Sequence, residues 1–293
     1  MRRLGWYLPL LLAAPLAAPL AGQQKLERRF AVTPDVSIRI TNTAGMVRLI
    51  GWERDSIVVI GALAPGASFF GGGKGSFAKL GVERLDETVA GPGSTLEVRV
   101  PHGARVSVRS VTASIEATGL TGELQATSVS GSIKAGGGLK LLMAETMDGD
   151  FDVGGPIEIT RITGGRGTVT LRDIRGDVLA TTVAGAIIAT TARITRAHLE
   201  TVSGPISYEG GVDGRGTLEA VTHAGDVTLR LPPTIAAEFA LQTFEGTIET
   251  TLFPKGNVQH QPRDGSPWTW ATGGGGAQVT VRSFKGAIRV LKQ

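Results

Sequence analysis

The sequence predicts an all-β fold, a single-stranded β-helix or β-solenoid of roughly 18–21-residue coils. Three observations lead there. A pattern of Ser or Thr, a bulky apolar residue, any residue, a small residue, any residue and a second bulky apolar residue is centred on Ala113, Gly131, Gly149, Gly167 and Gly185 at strict 18-residue intervals. It continues at Gly204, Gly225, Gly246 and Gly286 with longer intervals. Glycine supplies 42 of the 293 residues and aromatics only 5%, which suits a narrow, tightly turned core of aliphatic side chains. Around the small residues apolar and polar positions alternate, the two-residue period of strands.

Residues 1–22 are of another kind. Arg2 and Arg3 precede an apolar run from Leu4 to Leu20, then Ala21 and Gly22, which reads as a secretory signal peptide. Pro9, Pro15 and Pro19, in a run barely at the minimum of about 18 residues, argue against a transmembrane anchor, so none is expected after cleavage. Residues 23–293 are expected to form the solenoid domain. There is no cysteine, hence no disulfide framework and no lipidated cysteine after the signal. Arg2 and Arg3 supply two units of the formal charge of +4, and the other basic residues are scattered singly, so no basic patch and no nucleic-acid partner is expected.

Taken in order, Val36, Ile38 and Ile40, then Val47 and Leu49, alternate as strands, and TNTAGMV places Asn42, Gly45 and Val47 in a first copy of the pattern. Residues 64–95 break the beat with Gly71 to Gly73 and Pro92-Gly93, and read as a loop-rich insertion whose Phe69, Phe70 and Phe77 either cap the core, the favoured reading, or form an exposed apolar patch. Winding resumes at Leu96. Seven and five residues before the small residue, pairs such as Leu124 and Ala126, Val178 and Ala180, or Phe239 and Leu241 are expected to point inward. Two residues after it, Ile115, Ile133, Phe151, Val169, Ile187, Ile206, Val227, Ile248 and Ile288 form a second inward column. Stacking then sets Glu116, Lys134 and Asp152 side by side, and Asp148 beside Arg166, so opposite charges alternate along the stack. The 40-residue gap between Gly246 and Gly286 holds a second irregular insertion, residues 254–277, before the pattern closes the chain. A left-handed helix needs strict six-residue aliphatic spacing, which fails at Glu145, Thr163 and Arg175. Right-handed winding is therefore expected.

The small residue at each centre (Gly45, Ala113, Gly131, Gly149, Gly167, Gly185, Gly204, Gly225, Gly246, Gly286) marks a corner, where positive φ or close backbone approach excludes a Cβ. The hydroxyl three residues earlier is expected to bond backbone at the bend, a structural role and not a nucleophile's. The AGMVRLIGWERDSIVV segment, the VRVPHGARVSVRSV lead-in, the copies TVAGAI and TVSGPI and the closing SFKGAIRV together resemble the bacterial putative-adhesin domain family of cell-envelope β-helix proteins, over residues 36 to 293. That resemblance implies a β-helix and carries no catalytic residues. Ala113 in place of glycine, the coil around Gly164, Gly165 and Gly167, and His223 with an inserted residue depart from the pattern.

Candidate sites are few. Glu145, Asp148, Asp150 and Asp152 could serve calcium or a polysaccharide lyase or hydrolase, but Lys134 and Arg166 beside them make an ion-pair ladder the better reading. The four histidines (His102, His198, His223, His260) show no metal-ligand spacing. No cofactor or metal is expected. Trp268 and Trp270 share one face of an extended SPWTWAT, and either bind a sugar or protein partner or seal the core. The expected function is an exported, non-enzymatic structural, adhesive or binding scaffold of the envelope, with a glycan or protein as partner. The rivals are a carbohydrate-active enzyme on a parallel β-helix and a sensory or regulatory envelope protein.

Overall fold

The computed structural model describes residues 24–84, 92–252 and 266–293, so the expected signal peptide, residues 1–22, lies outside them. The described residues are all-β, with 22 strands and no helix. β1 (Gln24–Asn42) and β2 (Gly45–Trp52) form where Val36, Ile38, Ile40, Val47 and Leu49 alternate with polar residues, and all five are buried. β3 (Ser56–Leu63), β4 (Ala67–Arg84) and β5 (Ser94–Pro101) follow. The strict repeat then supplies two short strands per period: β6 (Arg105–Ser110) and β7 (Ser114–Thr118), β8 (Glu123–Thr127) and β9 (Ile133–Gly136), β10 (Leu141–Thr146) and β11 (Phe151–Gly154), β12 (Ile159–Gly164) and β13 (Val169–Arg172). After β14 (Asp177–Thr182), the longer β15 (Ile187–Thr201) and β16 (Ile206–Thr222) each run through both halves of a period. The chain finishes with β17 (Val227–Leu231), β18 (Ala237–Thr243), β19 (Ile248–Thr250), β20 (Trp268–Thr272), β21 (Ala277–Ser283) and β22 (Ile288–Lys292).

These strands stack into two parallel ladders. One runs β4, β1, β6, β8, β10, β12, β14, the second halves of β15 and β16, then β21 and β18. The other runs β5, β2, β7, β9, β11, β13, the first halves of β15 and β16, then β17, β22 and β19. One strand from each ladder makes a rung. Ile115, Ile133, Phe151, Val169, Ile187, Ile206 and Val227 lie in direct register and are all buried, as are Leu124, Ala126, Val178, Ala180, Phe239 and Leu241. A third inward set, Leu120, Leu139, Ile157, Ile174 and Ile194, fills the corner opposite the glycines. Its unequal spacing hides it from a search for a fixed period.

Order along the stack departs from order along the chain at both ends. β21 and β22 end the chain, yet they lie between the rung of Gly225 and that of Gly246. At the other end, β1 and β2 lie between β4 and β5 on one side and β6 and β7 on the other. Interleaving gives the first and last rungs of the sequence hydrogen-bonding partners on both sides, so neither presents a free edge. Of the four outer strands, β4, β5, β18 and β19, two are closed by antiparallel partners among the described residues, β5 by β3 and β18 by β20.

Residues 64–95 are largely strand, not loop: β4 takes 67–84 and β5 begins at Ser94, while 85–91 lie outside the described residues. The glycines there make room for rings. A Cβ on Gly71 would stand 2.7 Å from the Phe69 ring and one on Gly81 2.5 Å from the Phe70 ring. Phe69 packs against the core, whereas Phe77 is 51% exposed and caps nothing. Of the second insertion, residues 253–265 lie outside the description, and its later part is β20 followed by a turn. Gly273 to Gly276 all have positive φ, from +56° to +139°, which reverses the chain from β20 into β21.

Candidate binding surface

Most glycine corners are built by one hydroxyl. Thr182 Oγ1 accepts the Gly185 N–H at 3.3 Å within its own rung and donates to the Gly165 carbonyl of the preceding rung at 2.9 Å. Thr201 does the same for Gly204 (3.1 Å) and the Gly185 carbonyl (3.2 Å), and Ser283 for Gly286 (2.8 Å) and the Gly225 carbonyl (3.3 Å). These hydroxyls are buried, with donor and acceptor both in use, which leaves no reactive oxygen. Close approach, not positive φ, requires the glycine. A Cβ on Gly185 would stand 1.9 Å from the Gly167 carbonyl oxygen, and one on Gly204 2.0 Å from that of Gly185. Only Gly45 among the corners has positive φ, +104°. At the Gly167 rung the hydroxyl is replaced by Gly164, whose Cβ would stand 3.1 Å from the ring of Phe151, the largest side chain of its inward column.

Turning the hydroxyl inward turns the very next residue to solvent. Val111, Val129, Met147, Gly165, Val183, Val202, His223, Phe284 and Phe244 occupy successive rungs at this position. Their apolar members are between 37% (Phe284) and 64% (Met147) exposed. The backbone zips the column together: Val129 N–H donates to Val111 C=O (3.0 Å), Met147 to Val129 (3.0 Å), Val183 to Gly165 (3.1 Å) and Val202 to Val183 (3.1 Å). Nine positions at a strand spacing of about 4.8 Å make a ridge of roughly 38 Å. It ends in aromatics, with His223 stacked on Phe284 at 4.9 Å and Phe244 tilted against Phe284 at 5.3 Å. The sequence contains these residues in plain view, but a bulky apolar side chain two before the corner looks no different from one two after it. Their exposure follows from the direction of the hydroxyl.

Of the acidic group, Asp148 and Asp152 are held in ion pairs and Asp150 by a backbone N–H, while Glu145 lies exposed on β10. Arg166 bonds Asp148 at 2.7 Å, Lys134 lies 3.8 Å from Asp152, Arg172 also bonds Asp152, and the Asp150 carboxylate accepts the Thr168 N–H at 2.8 Å. Farther along, the alternation continues as Arg48 with Glu116 (3.1 Å), Arg196 with Asp177 (3.1 Å), and Arg289 between Asp226 (2.9 Å) and Glu249 (3.6 Å). The backbone N–H of Ala287, with Arg289, holds Asp226 below the ordinary carboxylate range. His198 and His223 do not meet: His198 lies on the outer face of β15, with Nδ1 3.0 Å from Glu219 and Nε2 3.2 Å from Glu200. Burial works against its charged form, but the two carboxylates outweigh this and raise its pKa above 6.5. Among the described residues no group of three or more His, Cys, Asp and Glu is arranged to hold a metal ion.

Trp268 and Trp270 lie on β20 opposite Leu241 and Phe239 of β18. The Trp270 ring stacks on Phe239 at 4.9 Å and 6°, and the two indoles are 4.5 Å apart, both partly buried against the core. Of the two readings open for this pair, the geometry is that of a seal over the end of the stack.

No family model matches the chain, and no curated protein matches it. Two solved structures resemble it distantly. One is described as a putative cell adhesion protein from Clostridium sporogenes, 10% identical, covering 92% of this chain and 100% of that one at a TM-score of 0.26. The other is described as a putative adhesin from Bacteroides fragilis, 10% identical, covering 93% of this chain and 99% of that one at a TM-score of 0.40. At such values the likeness assigns neither family nor activity.

Proposed function

We propose that the protein is an exported, non-enzymatic β-solenoid, its two ladders being successive faces of right-handed coils, that serves as a structural or adhesive scaffold in the bacterial cell envelope. The apolar ridge carries this reading. A column of valines, Met147 and phenylalanines held in water on seven of nine rungs is a surface built to be covered, and an envelope protein or glycan lying along the stack covers it. The enzymatic alternative needs unpaired acids converging in a groove, and within the densest acidic group Asp148 and Asp152 are instead tied to Lys134, Arg166 and Arg172. Export rests on the signal-like composition of residues 1–22.

Replacing Val129, Val183 and Val202 together by serine tests the proposal. Each change is at the surface and costs about 0.5 kcal/mol or less, so the melting temperature stays close to that of the parent. Retention of the protein on isolated cell-envelope fractions is expected to fall. Unchanged retention would sink the scaffold role of the ridge.

A further inference from the structure

Along most charged columns of the stack, neighbouring strands carry opposite signs. One place breaks the rule. On the outer face of the first ladder, Lys79 of β4 is the direct register partner of Arg39 of β1, and Arg39 in turn lies opposite Ser107 of β6, midway between Arg105 and Arg109. Adjacent strands are about 4.8 Å apart and four residues along a strand span about 13 Å, so four cations share one small patch. Like charges set directly opposite repel. Among the described residues Arg39, Arg105 and Arg109 form no ion pair and no side-chain hydrogen bond, and Lys79 contacts only the Phe70 ring, 5.6 Å from its centroid. The sequence reading of basic residues as scattered singly is corrected here: Arg39, Lys79 and Arg105 are far apart in the chain and are gathered by the interleaving of β1 between β4 and β6.

The three arginines line an open groove of about 280 Å³ together with Ser37, Ser107 and Gln125. One carboxylate, Glu123, lies at its margin opposite Arg105, which leaves a positive excess. Phe77, half exposed, stands in register with Ser37 and Arg105 at one side of the patch. Guanidinium groups bind carboxylate and sulfate through paired N–H donors, hydroxyl and amide side chains bond sugar hydroxyls, and an exposed phenyl ring stacks on the apolar face of a pyranose. We infer that this groove binds a segment of acidic polysaccharide, with Arg39, Arg105 and Arg109 on its carboxylate or sulfate groups and Phe77 under a sugar ring. The assignment goes beyond the scaffold proposal and uses none of the ridge residues.

The test is titration of the full chain with oligomers of polygalacturonate, of heparin and of neutral dextran. Acidic oligomers are expected to bind, dextran is not, and raising NaCl to about 0.5 M weakens the interaction. The preferred arm tells carboxylate from sulfate. Arg39→Gln with Arg105→Gln is expected to weaken binding by roughly tenfold or more, since two charge-assisted contacts are lost. Phe77→Ser weakens it several-fold, while Arg161→Gln, farther along the same face, leaves it unchanged. All these side chains are exposed, so circular dichroism and melting temperature are expected to match the parent. Binding unaffected by the arginine pair overturns the site. Equal binding of a DNA duplex together with insensitivity to Phe77→Ser overturns the polysaccharide assignment in favour of unspecific charge. The serine variants of the ridge are expected to keep full affinity here, so the two proposals fail separately.

Discussion

Thr160 buries a hydroxyl that has no hydrogen-bond partner, at an inward position where neighbouring rungs place Leu142 and Val178. Thr160→Val keeps the shape and removes the desolvated oxygen, so it is expected to stabilise by about 1 kcal/mol, seen as a higher urea midpoint. The opposite holds at the corner. Thr182→Val strips Gly185 N–H and Gly165 C=O of their shared partner and is expected to cost about 1–3 kcal/mol, with Gly185→Ala costlier because its Cβ meets backbone and not a movable side chain. His198 gives a pH signature. Its pKa is raised in the folded state, so its contribution is fully present below the unfolded value of 6.5 and is lost as pH rises through the folded pKa. The stability gap between the parent and His198→Gln is therefore expected to be larger at pH 6 than at pH 9, measured by urea titration, and a gap independent of pH would count against the clamp formed by Glu200 and Glu219.

A strand's inward set was readable because alternation and an 18-residue beat are both local properties. Ile187 could be placed from ATTVAGAIIA alone, and the structure buries it completely. The residues filling the opposite corner, Leu120 to Ile194, were not readable, because loops of changing length shift them out of period. β4 was missed for a different reason: its glycines are the usual mark of a loop, and only the rings of Phe69 and Phe70 explain them. β20 shows the same limit, since two tryptophans on one face of a strand look alike whether they cover a core or a ligand. Phe239 beneath Trp270 is the contact that a cover makes. Trp268→Ala with Trp270→Ala is expected to lower the melting temperature and to raise hydrogen exchange in β18 while leaving β8 to β12 protected. A double variant as stable as the parent would return these rings to the list of binding groups.

The stacking order of the whole chain was the least legible feature. A repeat length tells how long a rung is, and it is silent on which rung lies against which. Nothing in Ser283, Gly286 or Ile288 says that their neighbours are Thr222 and Thr243 on either side. Since each rung contacts only its neighbours, removing residues 277–293 is expected to leave β6 to β14 folded and to release β18, β19 and β20, read as lost protection over residues 237–252 and 268–272, with β16 and β17 weakened where they lose β21 and β22. Loss of protection throughout would mean the stack unfolds as one unit.

The interleaving also has a mechanical meaning. In a simple stack, tension on the final strands peels the outermost rung one hydrogen bond at a time. Here β21 and β22 are each gripped between two parallel strands of their own ladder, and β1 likewise at the opposite end. A pull directed along these strands must shear the bonds on both sides together. β1, β21 and β22 are thus held against shear from both sides.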